Sequence, residues 1–350
     1  MIDFRYHLVS IVAVFLALAV GIVLGSTELR GAALSALDRT SSALSAKLQA
    51  ADNQNNALEQ QVQGDHQFAQ AAEPVLVGHL LDGKRVVIIT TPGAPSGVVN
   101  GIKTGLADAG ATVSGQVALS AKFADTSASN LSLLDQLTQR VTPANLTLAN
   151  GSPQQQAAQV LASALVTSGS GSGNGSKSGN GNSGNGSASS QSAQTILSSY
   201  SAGQFITVSG QPSSGATLAV IVTPATAPQS GNSDPANQAV VALAQEFGTG
   251  SQATVVAGPS VTSSQGSSAI SAVRSSGAAK DASTVDNADT VVGQIVVVQA
   301  LEQQMDGHKP GSFGTQSNAS SAGPSPAPTP SASASSSQNT SAKDTSAKGK

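Results

Sequence analysis

The chain has no cysteine and no tryptophan, and only two methionines, Met1 and Met305. Without cysteine there can be no thiol redox chemistry, no Cys-ligated zinc and no disulfide staple. Charge is scarce as well: Asp, Glu, Lys and Arg make up 10% of the residues, against roughly 25% in ordinary globular proteins. The formal net charge is −3, so there is no basic excess to attract nucleic acid and no such partner is expected. Aromatic residues amount to 3%. Gly, Ser, Ala and Asn are abundant instead, which points to long flexible segments in a 350-residue chain.

One long apolar run is present. Residues 8–24 are 17 residues in which only Ser10 and Gly21 depart from strongly apolar side chains or alanine. A run of about 17–25 residues can cross the hydrocarbon core as a helix, whereas the core of a signal peptide is shorter, roughly 7–15 residues. No persuasive small-x-small cleavage site follows the run, so a retained anchor is expected over a cleaved signal. Arg5 and the amino terminus precede it, and Phe4 and Tyr6 suit the membrane interface. Residues 1–7 therefore read as a cytoplasmic tail, 8–25 as a single transmembrane helix, and the bulk that follows as extracytoplasmic. Ala13, Ala17, Gly21 and Gly25 recur every four residues. That stripe of small side chains lets two membrane helices approach closely.

Residues 26–72 read as a coiled-coil stalk. Leu34, Leu37, Leu44, Leu48, Ala51, Asn55, Leu58 and Val62 fall at alternating a and d positions, and Ser41 interrupts the seam. A single Asn at an a position fixes register and favours a dimer. The competing reading is one amphipathic helix packed on the downstream domain. Glu73-Pro74 is expected to end the helix.

Residues 74–310 then alternate strand and helix, the pattern of a mostly parallel, Rossmann-like α/β domain. Buried strands are read at 84–91, 111–120, 216–223 and 252–258, with a short one at the start of 283–305. Helices are read at 98–110 (closed by Gly110), 131–140, 153–166 and 234–248, and in the remainder of 283–305. The 234–248 helix has Asp234 as N-cap, Pro235 in first position and Gly248 past its end. A Gly/Ser-rich linker at 168–192 interrupts the domain, and residues 315–350 read as a disordered tail.

Catalytic motifs are missing. The loop TTPGAPSG lacks the G-x-G-x-x-G spacing that brings a backbone to a pyrophosphate, and its prolines remove amide donors. Lys103, in GIKTG, is expected on a solvated helix face. The four histidines, His7, His66, His79 and His308, are scattered, with no H-E-x-x-H and no G-x-S-x-G elbow. Asp281, Asp286 and Asp289 could hold a divalent cation, but acids there suit a helix start better. No catalytic or cofactor-binding residue is assigned; the chain is expected not to be an enzyme and to need no cofactor.

The N-terminal stretch MIDFRYHLVSIVAVFLALAVGIVLGS, the heptads, GKRVVIITTPGAP and the late segment STVDNADTVVGQIVVVQALEQQMDGHKPGSFG together resemble the mycobacterial copper transport protein B (MctB) family of actinobacteria. The resemblance covers about residues 1–314. It implies a membrane protein of copper transport and homeostasis that limits copper accumulation. It also implies an alternative, since some related proteins look like single-pass partners in cell division that influence activation of peptidoglycan hydrolases. That alternative makes the chain a non-catalytic dimeric scaffold for envelope proteins. The resemblance carries over no copper-ligating position. Cu(I) prefers Cys and Met and Cu(II) prefers His, so with this composition no ligand cluster is found within one chain and any metal residues stay unassigned. Copper would move through an oligomer or a partner. The partners expected are thus the membrane, a second copy paired through the transmembrane helix and coiled coil, and an envelope protein.

Overall fold

The computed structural model describes residues 4–167, 188–212, 215–225, 234–261 and 268–325, without the side chains of 4–5, 26–34 and 36. The described chain forms two compact units, Met1–Asp65 and His66–Lys350. One continuous helix, α1 (Phe4–Val77, 74 residues), supplies all of the described part of the first unit and opens the second. In the first unit every described side chain is exposed, including the apolar run at Tyr6–Gly25, which is long and apolar enough to cross a membrane.

The helix does not stop at Glu73-Pro74 as the sequence suggests. It runs one turn further, with Pro74 inside it. Proline forfeits one interior hydrogen bond, but Ala69 and Val77 are buried in the core of the second unit, and Pro74 O accepts from Gly78 N at 3.0 Å. Burial holds the turn that propensity would release.

The second unit is built on a seven-stranded sheet, β1 (Arg85–Thr90), β2 (Thr112–Leu119), β3 (Ile206–Gly210), β4 (Leu218–Val222), β5 (Ala253–Ala257), β6 (Ser283–Val285) and β7 (Ser312–Phe313). Its order is β3-β2-β1-β4-β5-β6-β7, parallel throughout except for β3 against β2. The sheet is therefore mixed and open, with β3 and β7 at its edges. Between the strands lie α2 (Ser96–Asp108), α3 (Ala121–Ala124), α4 (Ala128–Val141), α5 (Pro153–Leu165), α6 (Ser190–Ala202), α7 (Pro235–Gly250), α8 (Ala269–Arg274) and α9 (Val291–Met305).

The inner strands are buried on both faces, as the continuous β-branched runs demand. Alternation sorts them cleanly. Val87, Ile89, Ala219 and Ile221 pack with Phe123 of α3, Leu134 of α4, Leu161 of α5, Tyr200 of α6, Leu243 of α7 and Ile270 of α8. Val86, Ile88, Leu218 and Val220 pack on the other side with Val77, Ile102 of α2 and Val297 of α9. Two hydrophobic layers thus sandwich one sheet.

Several expected boundaries shift. Gly110 does close α2, at φ +82°, the left-handed conformation that suits glycine after a helix. Gly248 lies inside α7, which runs on to Gly250. A Cβ there would come 2.5 Å from Asp281 O, so this glycine allows close packing rather than ending the helix. Of the linker expected at 168–192, Ser190–Ser192 already belong to α6, and 168–187 lie outside the described residues. The expected tail also starts too early. Ser312 and Phe313 pair with Thr284 and Val285 of β6, Gly314 N donates to Ser321 O at 3.0 Å, and Phe313 bridges to Ser321. Residues 326–350 lie outside the description.

Candidate functional site

Strand β1 feeds α2 on one face of the sheet, while β4 feeds α7 on the other. Where neighbouring parallel strands send their connections to opposite faces, a crevice opens at their carboxyl ends, and ligands of open α/β sheets bind there. The loop 91–95 forms its floor. Thr91 donates twice to Val222 O, from its N–H at 3.0 Å and its hydroxyl at 3.3 Å, which ties the end of β1 to β4. Ser120, just past β2, donates from its N–H to Phe205 O at 2.9 Å and from its hydroxyl to Gln204 O at 2.7 Å. The rim is therefore pinned by backbone carbonyls on both sides.

Two cavities open here and share Thr91, Pro92, Gly93 and Leu119. The first, about 270 Å³, is apolar, with Phe123, Pro224 and Val240 in its wall. The second, about 350 Å³, is polar, with Thr90, Ser96, Asn100, Lys103 and Gln116. Lys103 is not on a solvated face as the sequence suggests. It is half-buried, and its Nζ donates to Gln116 Oε1 at 2.9 Å. Gln116 Nε2 in turn reaches Thr90 Oγ1 at 3.5 Å. The sequence signal for this site was a strand-loop-helix unit followed, thirteen residues after the lysine, by Gln116 in the next strand.

The residues singled out from sequence lie elsewhere. Ala13, Ala17, Gly21 and Gly25 sit along α1 at four-residue intervals, exposed. Leu37, Leu44, Leu48, Leu58 and Val62 are each more than half exposed on the same helix. Ala51 and Asn55 are exposed beside them, and Leu34 falls within the helix. The histidines do not converge. His66 shares a 3.3 Å contact with Gln70, and His79, at φ +63°, pairs with Asp82 at 2.9 Å. Among the described residues, no group of three His, Cys, Asp or Glu side chains could hold a metal ion.

The three late aspartates do not open α9 either, which corrects the helix-start reading. Thr290 is the N-cap, accepting from Gly293 N at 3.0 Å. Asp289 accepts from Ser260 N and Oγ at 2.8 and 2.9 Å. Asp281 follows a short 3₁₀ turn, with burial raising its carboxyl pKa. Asp286 is fully buried and pairs with Arg274 at 2.8 Å. Arg274 also donates to Thr284 Oγ1, Asn318 Oδ1 and Phe313 O at 2.7–2.8 Å. Asp286 Oδ1 accepts from Thr315 N at 2.7 Å. The pair therefore clamps the segment after β7 to the sheet. Sequence reasoning missed it because Arg274 and Asp286 belong to different elements and neither carries a motif.

Comparison with known proteins adds what geometry alone does not. A family model described as copper transport outer membrane protein, MctB, matches residues 1–324. Proteins called copper transporter MctB from Mycobacterium tuberculosis and Mycobacterium bovis are 27% identical over 92% of this chain and 98% of their own length. One of the same name from Mycobacterium leprae is 29% identical over the same shares.

Proposed function

The chain belongs to the MctB family, and from that membership we propose that it serves copper homeostasis as a single-pass, homodimeric, non-enzymatic protein of the cell envelope. The observation that carries this reading is the family match, which spans the apolar helix, the heptad segment and the α/β unit together. In the proposed topology the short N-terminus is cytoplasmic and the α/β unit extracytoplasmic. The apolar span at Tyr6–Gly25 and the positive residue Arg5 before it support that topology.

Copper in this reading is cargo, not a resident cofactor. The described residues offer no His, Cys or carboxylate cluster for it, so it passes by way of an oligomer or a partner protein. The test is to delete the gene and measure cell-associated copper by elemental analysis. Copper is expected to rise several-fold under copper stress and to fall back on complementation. Unchanged copper content and tolerance would overturn the proposal. The scaffold alternative gains no support from the relatives' names.

The dimer is proposed to run through the small-residue face of the span and the seam from Leu34 to Val62. Its support is the row of apolar side chains left exposed on α1. The absence of native cysteine makes the test direct. Ala51→Cys, at a d position, is expected to form a disulfide-linked dimer in membranes under mild oxidation, and Ala46→Cys, at the outward f position of the preceding heptad, is not. Equal crosslinking of both variants, or none of either, would remove the coiled coil from the proposal.

A further inference from the structure

The crevice at the carboxyl ends of β1, β2 and β4 has a composition that copper chemistry does not use. Its described lining holds no His, no Met and no acidic side chain. It is instead divided in two: an apolar cavity walled by Leu119, Phe123, Pro224 and Val240, and beside it a polar cavity holding Lys103. We propose that this crevice binds a small amphiphilic carboxylate, with its apolar tail in the first cavity and its carboxylate beside Lys103 in the second.

Three observations carry the assignment. The first is position, because the crevice lies at the switch point of the sheet, between β1 and β4, whose connections leave on opposite faces. The second is charge. Among the described residues Lys103 pairs with no carboxylate, and its hydrogen-bond partner is the neutral Gln116. A half-buried ammonium with a neutral acceptor gains a charge-assisted hydrogen bond from an anionic ligand. The start of α2, also in this wall, adds in the same direction, since its N-cap is Pro95, which offers no capping side chain. The third is the size and polarity of the first cavity. At about 270 Å³ it suits a short alkyl chain better than a drug-sized molecule.

A dinucleotide, the usual occupant of such a crevice, fits poorly. Pro92 and Pro95 remove two amides from the loop that would meet the pyrophosphate. The residues closing β2, Leu119 and Ser120, provide no acid for a ribose.

The test uses the full chain in lipid nanodiscs, titrated with octanoate, octanol and octylamine by calorimetry, with empty nanodiscs subtracted. Octanoate is expected to bind saturably, at least tenfold tighter than octylamine. Lys103→Gln is expected to weaken octanoate about tenfold and to erase its advantage over octanol. Ala121→Phe, which places a ring at the exposed mouth of the apolar cavity, is expected to abolish binding of all three. Both variants should keep the wild-type melting temperature, which separates loss of binding from loss of fold. No saturable octanoate binding, or equal binding of octanoate and octylamine, would overturn the proposal. So would octanoate binding that survives both substitutions.

Discussion

Replacing Asp286 by alanine is expected to destabilise the α/β unit by about 3–5 kcal/mol, because it strands a guanidinium where solvent cannot reach it. The side chain of Arg274 is 4% exposed and that of Asp286 is not exposed at all. Burial pulls the Arg274 pKa down, and the hydrogen bond and charge of Asp286 push it back up. The carboxylate also accepts the Thr315 and Gln316 amides, so its loss would free the segment after β7 as well. For a unit of this size about 1 kcal/mol shifts the melting point by roughly 2–4 °C, which makes a drop on the order of 10 °C the expected result for purified full-length protein. The control is Arg274→Met combined with Asp286→Leu. Replacing both charges with apolar groups removes the uncompensated ion, so the double variant is expected to melt above Asp286→Ala despite carrying one more substitution. A single variant that melts within a degree or two of wild type would show that water or relaxation satisfies Arg274.

This clamp also marks where the sequence stops being legible. The strands β1, β4 and β5 could be read directly because each is a short β-branched run flanked by turn residues, and α7 because Asp234 and Pro235 announce its start. What could not be read depends on contacts between distant segments. The helix α6 has the sequence SQSAQTILSSYSA and follows a glycine- and serine-rich stretch, so its composition looks like linker. Only tertiary packing shows that Tyr200 is fully buried, with its hydroxyl 2.7 Å from Thr138. Strand β7 is two residues long and exists because β6 offers an edge. The crevice is similar. The loop TTPGAPSG was recognisable as the turn after a first strand, and its failure as a phosphate loop was readable from its prolines. That its neighbours would be Leu119 and Phe123 on one side and Lys103 and Gln116 on the other follows from strand order, which no local pattern encodes.

The largest effect of all is expected at the candidate membrane span, Tyr6–Gly25. Leu16→Arg with Val20→Arg places two charges near the middle of Tyr6–Gly25. Each charge costs about 2.5–3.5 kcal/mol at the centre of an inserting helix, so the pair should shift insertion by a factor of more than a thousand. The variant is expected to leave the membrane fraction, whereas Leu16→Ala with Val20→Ala should remain in it. The intact mass of the wild-type protein separates an anchor from an export signal. If the segment is a retained anchor, wild-type protein extracted from membranes has an intact mass that includes residues 1–25. If it is removed after export, the mature mass lacks them and membrane association must come from elsewhere. The second outcome would also undo the proposed dimer through Ala13, Ala17, Gly21 and Gly25, because that face would be absent from the mature chain. The seam from Leu34 to Val62 would then have to pair without a bilayer to concentrate it. About four heptads with an Asn at one a position give modest stability on their own. In the proposed dimer the seam and the span would be energetically linked: confinement to a membrane would raise the effective concentration of one stalk for another, and the heptads would then need only specify which faces meet.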